Sequence, residues 1–462
     1  MHPARCFTPR VVLPIGLLLA VLAPSPAANA AGFATARFGG EHGNPITNNA
    51  TAIYYNPAGI AEAEGFHIFL DGSLAFRSAT YDHGQASSDT PEPDGAIGAN
   101  HGKATLFNVI GAPMVGGTAK FGSFALGAGF FVPIGGTSVW DKDDDFANNP
   151  KFPGPIDGEQ RWYSIEGTIR SLYFTLAAAY EFKKIGLSVG VAANLIDSEI
   201  HTIRARNADG SDNVKSEGRS LIDVKGINWG FGVGAMFQAI PKKLWVGASY
   251  QSRPNVAGGM HMDGTLTNFF AAKDETKVSV NQDLPDIYRL GGRFRPMDTL
   301  ELRLFGDFTR WSAFESQCLA PEDKPCKVNA QGAAIDEKSK PIQNLPRNWQ
   351  DTVGVRGGAS YWFVPKVEGF FGLGFDSNAI PDESLDPALT DFNKISVGGG
   401  ARVELIKQLH AAASWTEIFY LSRDTNGKSK NAGYVTPSNG PDAGGKYTQL
   451  VGVLNVNLEA SF

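Results

Sequence analysis

Beyond its N-terminus, the sequence has no apolar run approaching the roughly 18 residues of a membrane-spanning helix. It also lacks a basic excess, since 41 lysines and arginines against 47 aspartates and glutamates give a net charge of −6. This balance, with no local basic run, excludes a nucleic-acid partner. Only eight histidines are present, and none stands beside a serine in an arrangement typical of a hydrolase. An enzyme such as a lipase is therefore disfavoured, and no cofactor is expected.

Residues 1–30 are predicted to be a signal peptide that is not part of the fold. Two arginines precede the apolar run Val11–Leu22, whose 12 residues are too few to cross a bilayer as a helix. The pattern Ala28-Asn29-Ala30 follows, and a signal peptidase cleaves after such small residues. The mature chain is expected to begin at Ala31, and an uncleaved N-terminal anchor is the alternative.

Cysteine is scarce, with three residues in the chain. Cys6 precedes the apolar run, which does not fit a lipoprotein anchor. Cys318 and Cys326 lie eight positions apart in a polar stretch, and in an exported protein this spacing predicts a disulfide. Free thiols or a metal site are the alternatives, but two cysteines without nearby histidines cannot complete a zinc shell. The carboxylates at 143–145 lack EF-hand spacing and favour a solvated loop over calcium, so no metal site is predicted.

From Gly65 onward, apolar residues alternate with polar ones, which is the period of a β-strand. Two kinds of connection separate the predicted strands. The short ones hold Pro, Gly or Lys and lie at 120–122, 183–186, 241–243, 296–299, 365–366 and 407–408. The long ones are polar and lie at about 82–104, 141–166, 207–219, 260–276, 315–348, 377–391 and 424–445.

Short and long connections alternate strictly, and together they imply fourteen strands over residues 65–462. An even number of antiparallel strands, with short turns at one end and long loops at the other, is the layout of outer-membrane proteins. The 54 glycines and 11% aromatic residues suit this layout. The prediction is an all-β fold, a 14-stranded antiparallel transmembrane β-barrel in the outer membrane of a Gram-negative bacterium, whose last strand ends on Phe462. A soluble two-sheet sandwich is the alternative.

Residues 31–64 differ from the rest because they are rich in small residues and asparagine and do not alternate. They contain Asn56-Pro57-Ala58-Gly59, in which Asn-Pro favours a turn and Gly tolerates a positive φ. A barrel of this size has a lumen several side chains wide. We therefore predict that this segment is a small N-terminal hatch, or plug, in the lumen. A periplasmic tail is the alternative.

The mature chain resembles the FadL/TodX family of outer-membrane transporters for long-chain fatty acids and other hydrophobic compounds. The similar segments are AGF (31–33), NNATAIYYNPAGIAE (48–62), GAGFFVPIGGTSVWD (127–141), LPDIYRLGGRFRPMDTLELRLFGDFTRWSAF (284–314) and NWQDTVGVRGGASYW (348–362). Each segment is weak alone, and it is their order between a signal peptide and a terminal Phe that carries the resemblance.

The resemblance implies a fourteen-stranded barrel and a route through it. A ligand is captured in an apolar groove among the extracellular loops, enters a pocket inside the barrel and leaves sideways through a gap at the third strand. Rearrangement of the hatch is coupled to release. The hatch residues implied in this sequence are Phe33, Asn56, Pro57, Ala58 and Gly59, and the gap residues are Phe131, Pro133, Gly135 and Gly136.

The third strand also carries a physical signal of its own. Pro133 cannot donate to a strand ladder, and Gly135-Gly136 weaken pairing further. Such residues mark a bulge or a bend. The residues leave open whether this is a simple bulge at the rim or a lateral gap, and the family resemblance favours the gap.

A fatty-acid carboxylate inside a barrel needs a cation. Taking Leu290 and Phe294 as facing lipid places several arginines on the inward face. The candidates for the head-group site are Arg289, Arg293, Arg303 and Arg356. The alternative is that these arginines pair with inward carboxylates and fill the lumen.

The predicted loop 260–276 contains an apolar cluster of Leu266, Phe269 and Phe270, and exposed apolar patches tend to mark binding sites. We expect it to contribute to the capture groove. The loop at 206–220 is short and polar, which departs from the groove of fatty-acid transporters and leaves room for a different hydrophobic ligand.

The leading hypothesis is a monomeric transporter of long-chain fatty acids or other hydrophobic small molecules, in contact with outer-membrane lipid and lipopolysaccharide. The alternatives are an uptake channel for aromatic hydrocarbons, a lipid-modifying enzyme and an open polar porin. The predicted plug and the apolar loop argue against the porin.

Overall fold

A computed structural model describes residues 37–256, 259–270, 272–322 and 324–462. The predicted signal peptide, the expected first mature residue Ala31 and the hatch residue Phe33 lie outside these residues.

The described residues form one antiparallel sheet of nineteen β-segments. In chain order these are β1 (Phe66–His83), β2 (Gly102–Phe121), β3 (Phe124–Val139), β4 (Glu166–Phe182), β5 (Leu187–Arg206), β6 (Gly218–Ile240), β7 (Leu244–Gln251), β8 (Met260–Phe269), β9 (Lys273–Gln282), β10 (Ile287–Met297), β11 (Leu300–Thr309), β12 (Ser316–Pro321), β13 (Gln343–Pro346), β14 (Thr352–Val364), β15 (Val367–Asp376), β16 (Lys394–Ile406), β17 (Leu409–Tyr420), β18 (Arg423–Asp424) and β19 (Lys446–Ser461).

Fourteen of these segments close into a barrel, namely all except β8, β9, β12, β13 and β18. Closure occurs at β1, which pairs with β2 along one edge and with β19 along the other. The β1–β19 ladder runs from His67–Ser461 to Asp82–Lys446. Except where the β2–β3 ladder ends at Met114–Phe131, closure leaves no unpaired sheet edge in lipid, where unsatisfied backbone groups are costly. The predicted 14-stranded antiparallel β-barrel is thus confirmed.

The two faces of the barrel wall differ as the alternation predicts. On β1, Phe66, Ile68 and Leu74 are exposed, whereas Asp71 and Arg77 are buried. The same division holds on the closing strand, with exposed Leu450 and Val456 and buried Asn455, Asn457 and Glu459. The outward face is therefore apolar and the inward face polar.

A small sheet extends the wall beyond β7 at the end with the long connections. β8 pairs with the first part of β6, β9 with β8 and β12, and β12 with β13. The prediction that residues 260–276 form a loop is wrong. These residues form β8 and the start of β9. The connection between barrel strands β7 and β10 spans 252–286. The β8–β9 hairpin can form because β6 has 23 residues and β7 has only eight. The part of β6 that β7 does not cover leaves a free edge with which β8 pairs.

The helical segments of the described residues have three to five residues each. The α-helical turn α1 is Ala52–Tyr55, and the 3₁₀ turns are Gly40–His42, Pro57–Ala61, Asp144–Phe146, Gly154–Asp157, Glu159–Trp162, Trp311–Ala313 and Asn431–Gly433. Among the residues that the structure describes, no helix has the length and hydropathy needed to cross a membrane.

The described N-terminal segment, 37–64, packs against the inward faces of the barrel strands. Its buried Phe38 and Tyr54 form one apolar cluster with Phe131 on β3 and Tyr173 on β4. The rings of Phe38 and Tyr54 lie with their centroids 5.6 and 5.2 Å from that of Phe131. Such aromatic contacts contribute about 0.5–1.5 kcal/mol each beyond their buried area.

Candidate functional site

A cavity lies at the end of the barrel that carries the long connections. Its volume is about 70 Å³. Its wall is formed by the loop-side halves of β3 to β6, by β9, β12 and β13, and by the connection between β15 and β16. The apolar side chains that line it are Ile169, Ile200, Ile222, Val280, Leu319, Leu345 and Leu389. An alkyl chain would be desolvated there.

A polar chamber of about 50 Å³ adjoins this cavity. The two share Tyr163, Arg204, Leu345, Arg347 and Ala388, so they form one site with an apolar part and a polar part. The chamber alone is further lined by Arg206, Gln343, Asn344, Asp386 and Asn439.

The polar chamber holds unequal numbers of cations and anions. Arg347 forms an ion pair with Asp386, with Nη1 and Oδ2 2.6 Å apart. Arg204 donates to Trp162 O at 3.2 Å and Arg206 to Gln343 Oε1 at 3.1 Å, both neutral acceptors. Within the described residues, no carboxylate forms an ion pair with Arg204 or Arg206. This end of the site is therefore positively charged.

Arg204 and Arg206 reach the site because β5 pairs with β6 without a register shift as far as its last residue. On this strand Val191 and Leu195 are exposed, whereas Ser198 and Ile200, on the other face, are buried. Positions 204 and 206 share the parity of Ile200 and face inward. Neither arginine was predicted from the sequence, although the outward Val and Leu residues of the same strand could have identified both as inward-facing.

The predicted head-group arginines Arg303 and Arg356 are neutralised in the barrel. Arg303 Nη1 lies 3.1 Å from a Glu301 carboxylate oxygen and 2.8 Å from Ser360 Oγ. Arg356 lies between Asp307, at 2.6 Å, and Asp376. Neither arginine lines the cavity. These contacts match the alternative that inward arginines pair with carboxylates.

The other two predicted arginines contact the N-terminal segment. The Arg289 guanidinium lies 4.6 Å from the ring centroid of Tyr54, and that of Arg293 lies 4.3 Å from the Trp245 ring centroid. Arg293 Nη1 also lies 3.4 Å from Asn48 Oδ1. The structure thus brings these arginines to the segment 37–64 and not to the cavity.

The predicted hatch residues Asn56, Pro57 and Ala58 pack closely against glycines of the barrel wall. Asn56 Nδ2 donates to Pro45 O at 2.8 Å and to Ala235 O on β6 at 3.1 Å. A Cβ at Gly234 would lie 1.9 Å from Asn56 Oδ1, and one at Gly190 would lie 2.4 Å from Ala58 N. Only glycine permits so close an approach. Gly59 is similarly enclosed, since its Cβ would lie 2.2 Å from Thr47 O.

The ladder between β2 and β3 stops partway along both strands. It runs from Phe121–Phe124 to Met114–Phe131 and no further. Beyond it, β2 remains paired with β1, and β3 remains paired with β4. Residues 102–113 and 132–139 therefore face each other without a backbone ladder, and we call this stretch the seam.

The predicted gap residues lie along this seam. Phe131 is in the last β2–β3 pair, and the β3–β4 register shifts between Phe131 and Ile134, around Pro133. Gly135 and Gly136 follow on the unpaired edge. Gly136, Thr137 and Ser138 also line the cavity, so the same residues border the cavity and the seam.

Side chains close the seam where the ladder does not. At its loop end, Asn108 Nδ2 donates to Val139 O and Val139 N donates to Asn108 Oδ1, both at 3.1 Å. On the lumen side, Arg77 of β1 donates to Ser138 Oγ at 3.2 Å. The unpaired stretch is thus a bounded window in the wall, between the Met114–Phe131 pair and Asn108.

The predicted apolar loop cluster is divided between two surfaces. Leu266 is buried in a cluster that includes Ile222 and Val280 of the cavity wall. Phe269 and Phe270 are exposed at the tip of the β8–β9 hairpin. The two phenylalanines are therefore accessible from outside, whereas Leu266 supports the cavity wall.

The structure joins Cys318 and Cys326 in a disulfide, with their Cα atoms 5.8 Å apart. It ties β12, which carries the cavity residue Leu319, to the chain that follows. In the part of the chain that the structure describes, no group of three or more His, Cys, Asp or Glu side chains is placed to hold a metal ion.

Comparison with known proteins covers nearly the whole chain. Residues 23–462 match the family model described as "Outer membrane protein transport protein (OMPP1/FadL/TodX)". The chain is also 25% identical over 393 residues to outer membrane protein NMB0088 of Neisseria meningitidis serogroup B, a match that spans 80% of each protein.

Solved structures of low sequence identity share the fold. The chain is 16% identical to a FadL homologue of Pseudomonas aeruginosa, with a TM-score of 0.71 over 95% of this chain and 99% of the other. It is 14% identical to the toluene transporter TodX of P. putida, with a TM-score of 0.64 over 94% and 99%. For the toluene transporter TbuX of Ralstonia pickettii, the identity is 15% and the TM-score 0.61, over 94% and 99%.

Proposed function

The chain belongs to the outer membrane transport protein family OMPP1/FadL/TodX, and we propose that its substrates are long-chain fatty acids. Membership makes it an outer-membrane β-barrel that transports hydrophobic compounds. The family consists of transport channels and not of enzymes. In the proposed route, the ligand is captured at the extracellular loops, binds in the cavity and leaves sideways through the seam.

The observation that carries this proposal is an apolar cavity that ends at Arg204 and Arg206. Each methylene of an alkyl chain contributes about 0.8 kcal/mol when it is buried. At the polar end, the acid head would meet two arginines that no carboxylate of the described residues neutralises. Hydrogen bonds to charged groups contribute about 1.5–3 kcal/mol. A fatty acid matches both halves of the site.

The exit step is supported by the shared residues of cavity and seam. Gly136, Thr137 and Ser138 line the cavity on one side and the unpaired edge of β3 on the other. A ligand that passes between β2 and β3 would enter the bilayer without crossing the polar lumen. For an alkyl chain this route avoids exposure of each methylene to water.

The hatch would close the direct route through the lumen. Residues 37–64 pack against β1–β5 by apolar contacts and against β6 through Asn56. Their contacts with Arg289 and Arg293 join the segment to β10 as well. We propose that displacement of this segment, which contacts Phe131 at the last pair before the seam, is coupled to ligand release.

The first contact with ligand is proposed at Phe269 and Phe270. Both are exposed at the hairpin tip, and exposed apolar patches tend to mark binding sites. The short polar connection between β5 and β6 contributes Ala208 and Gly210 to the polar chamber instead of an apolar groove. Capture would therefore depend mainly on the β8–β9 hairpin, in a barrel that acts as a monomer surrounded by lipid and lipopolysaccharide.

Uptake of aromatic hydrocarbons is the alternative. TodX and TbuX, which share this fold, are toluene transporters. A ligand without a charged head would leave Arg204 and Arg206 without a counter-anion. Binding would then be weaker, because a buried cation without a counter-anion is unfavourable in free energy. The site therefore supports an acid over a hydrocarbon.

Uptake of labelled oleate tests the proposal in a strain that lacks its own fatty-acid transporter. Expression of the full chain should restore uptake, and Arg204→Ala with Arg206→Ala should reduce it. The matched control is Lys183→Ala with Lys184→Ala, which removes two cations from the short β4–β5 turn and should leave uptake unchanged. If the intact protein restores no oleate uptake but admits toluene, the fatty-acid assignment is wrong.

A further inference from the structure

We propose that the arginine end of the cavity takes a dianionic phosphate monoester on a single alkyl chain, and binds it more tightly than a carboxylate on the same chain. This inference rests on the proposed function only in placing an amphiphile in the cavity. It goes beyond that function in the chemistry of the head group.

The first observation is the charge of the site. Three arginines line the joined cavity and chamber, namely Arg204, Arg206 and Arg347, and Asp386 is the carboxylate among the lining residues described. Asp386 is already paired with Arg347. Two positive charges therefore remain. A fatty-acid carboxylate compensates one of them, whereas a phosphate monoester carries about −1.5 to −2 at neutral pH and compensates both.

The second observation is a set of donors without acceptors. Arg204 Nε, Gln343 Nε2 and Tyr163 Oη are buried and have no hydrogen-bond partner among the described residues. Gln343 and Tyr163 line the polar chamber together with Arg204. A buried donor without a partner costs about 1–3 kcal/mol, so such groups are normally satisfied. Three unsatisfied donors on one chamber match the three terminal oxygens of a phosphate monoester.

The third observation is the polar lining of the chamber, whose volume is about 50 Å³ beside an apolar cavity of about 70 Å³. The neutral amides of Asn344 and Asn439 line the chamber as well and give hydrogen-bonding groups around a larger head.

The apolar half of the site distinguishes an alkyl phosphate from free phosphate. The cavity wall of Ile200, Ile222 and Leu319 offers nothing to an inorganic ion, whereas each buried methylene adds affinity. Chain and head should therefore both be required for tight binding.

Binding of four probes to the purified full chain tests the inference, with dodecyl phosphate, dodecanoate, dodecyltrimethylammonium and inorganic phosphate compared by calorimetry in an uncharged detergent. At pH 8 we expect dodecyl phosphate to bind at least about tenfold more tightly than dodecanoate. The affinity for dodecyl phosphate should fall at pH 5, where the phosphate is a monoanion. Dodecyltrimethylammonium and inorganic phosphate should bind weakly.

Variants of the two arginines distinguish the effect of lost charge from an effect on folding. Arg204→Gln with Arg206→Gln should abolish the preference for phosphate, whereas Arg204→Lys with Arg206→Lys keeps the charges and should retain most of it. Lys183→Ala with Lys184→Ala should leave the preference unchanged. Equal affinity for the two anions, or a preference that survives in the Gln variant, would overturn the inference. Inorganic phosphate that binds as tightly as dodecyl phosphate would also overturn it, since the chain would then play no part.

The same data keep this inference distinct from the proposed function. If dodecyl phosphate is preferred but cells expressing the chain take up no oleate, the fatty-acid proposal fails and the phosphate site stands. If oleate is taken up and the two dodecyl anions bind equally, the phosphate site is wrong and the fatty-acid proposal stands.

Discussion

Asn108 on β2 and Val139 on β3 are joined by two hydrogen bonds, Nδ2 to O and N to Oδ1, both of 3.1 Å. The Asn108 side chain thus bonds both polar backbone groups of Val139, as a paired strand residue would. It does so beyond the point where the β2–β3 ladder ends at Met114–Phe131. The opening between the two strands is therefore bounded at its loop end by the Asn108 side chain, and beyond it Asp141 N donates to Thr105 O at 2.9 Å.

Replacing Asn108 with Ala should loosen the seam at its loop end. Two hydrogen bonds of about 1 kcal/mol each would be lost. Hydrogen exchange at the Val139 amide should accelerate about tenfold or more, with the Lys120 region of β2 unaffected. Asn426→Ala, in an exposed loop, is the matched control. Unchanged exchange at Val139 would show that this side chain does not hold the strands together.

Replacing Gly136 with Leu should obstruct the passage from cavity to seam. The added side chain would enter a site that Gly136 lines, and overpacking of this kind costs about 1–3 kcal/mol. Oleate uptake should fall several-fold while the barrel still assembles. Gly117→Leu provides the control, because Gly117 lies within the intact part of the β2–β3 ladder. Equal uptake by wild-type protein and Gly136→Leu would argue against a route past this residue.

Replacing Gly234 with Ala should unseat the N-terminal segment, because its Cβ would lie 1.9 Å from Asn56 Oδ1. We expect cleavage within residues 37–64 by added protease to increase, together with a loss of stability of about 1–3 kcal/mol. At Gly292, on β10, a Cβ would meet its nearest atom only at 3.8 Å, so Gly292→Ala should be nearly neutral. Equal protease resistance of the two variants would contradict the close seating of Asn56.

The intact protein should carry little steady ionic current in planar bilayers, because residues 37–64 pack with inward side chains such as Phe131 and Tyr173. Gly234→Ala should raise the frequency of open events. Large steady currents through the wild-type protein would instead indicate an open porin and would remove the hatch from the mechanism.

The sequence was sufficient to predict the barrel because alternation and turn residues are local signals. The exposed Phe66 and buried Asp71 of β1 follow from the period of two, as does the inward Asn455 of β19. The β8–β9 hairpin was missed because its pairing depends on the extra length of β6, a relation between distant strands. Apolar and polar residues alternate within the hairpin, but this alternation does not show with which strand edge the hairpin pairs.

The site was predicted less well than the fold. The interruption of strand pairing near Pro133 could be predicted, because proline and glycine affect the backbone locally. The charge balance of each arginine could not be read from the sequence, since Arg356 meets Asp307 and Asp376 only when three strands are assembled. Arg204 and Arg206 stand out only once it is known that no carboxylate of the described residues pairs with them.

Equilibrium binding of oleate and of toluene to the purified protein, and to Arg204→Ala with Arg206→Ala, tests the central claim most directly. We predict that oleate binds the wild-type protein at least tenfold more tightly than the variant, since charge-assisted hydrogen bonds contribute about 1.5–3 kcal/mol. Toluene should bind weakly and equally to both. Oleate affinity that is unchanged in the variant, together with tighter binding of toluene, would contradict the assignment of this site to fatty acids.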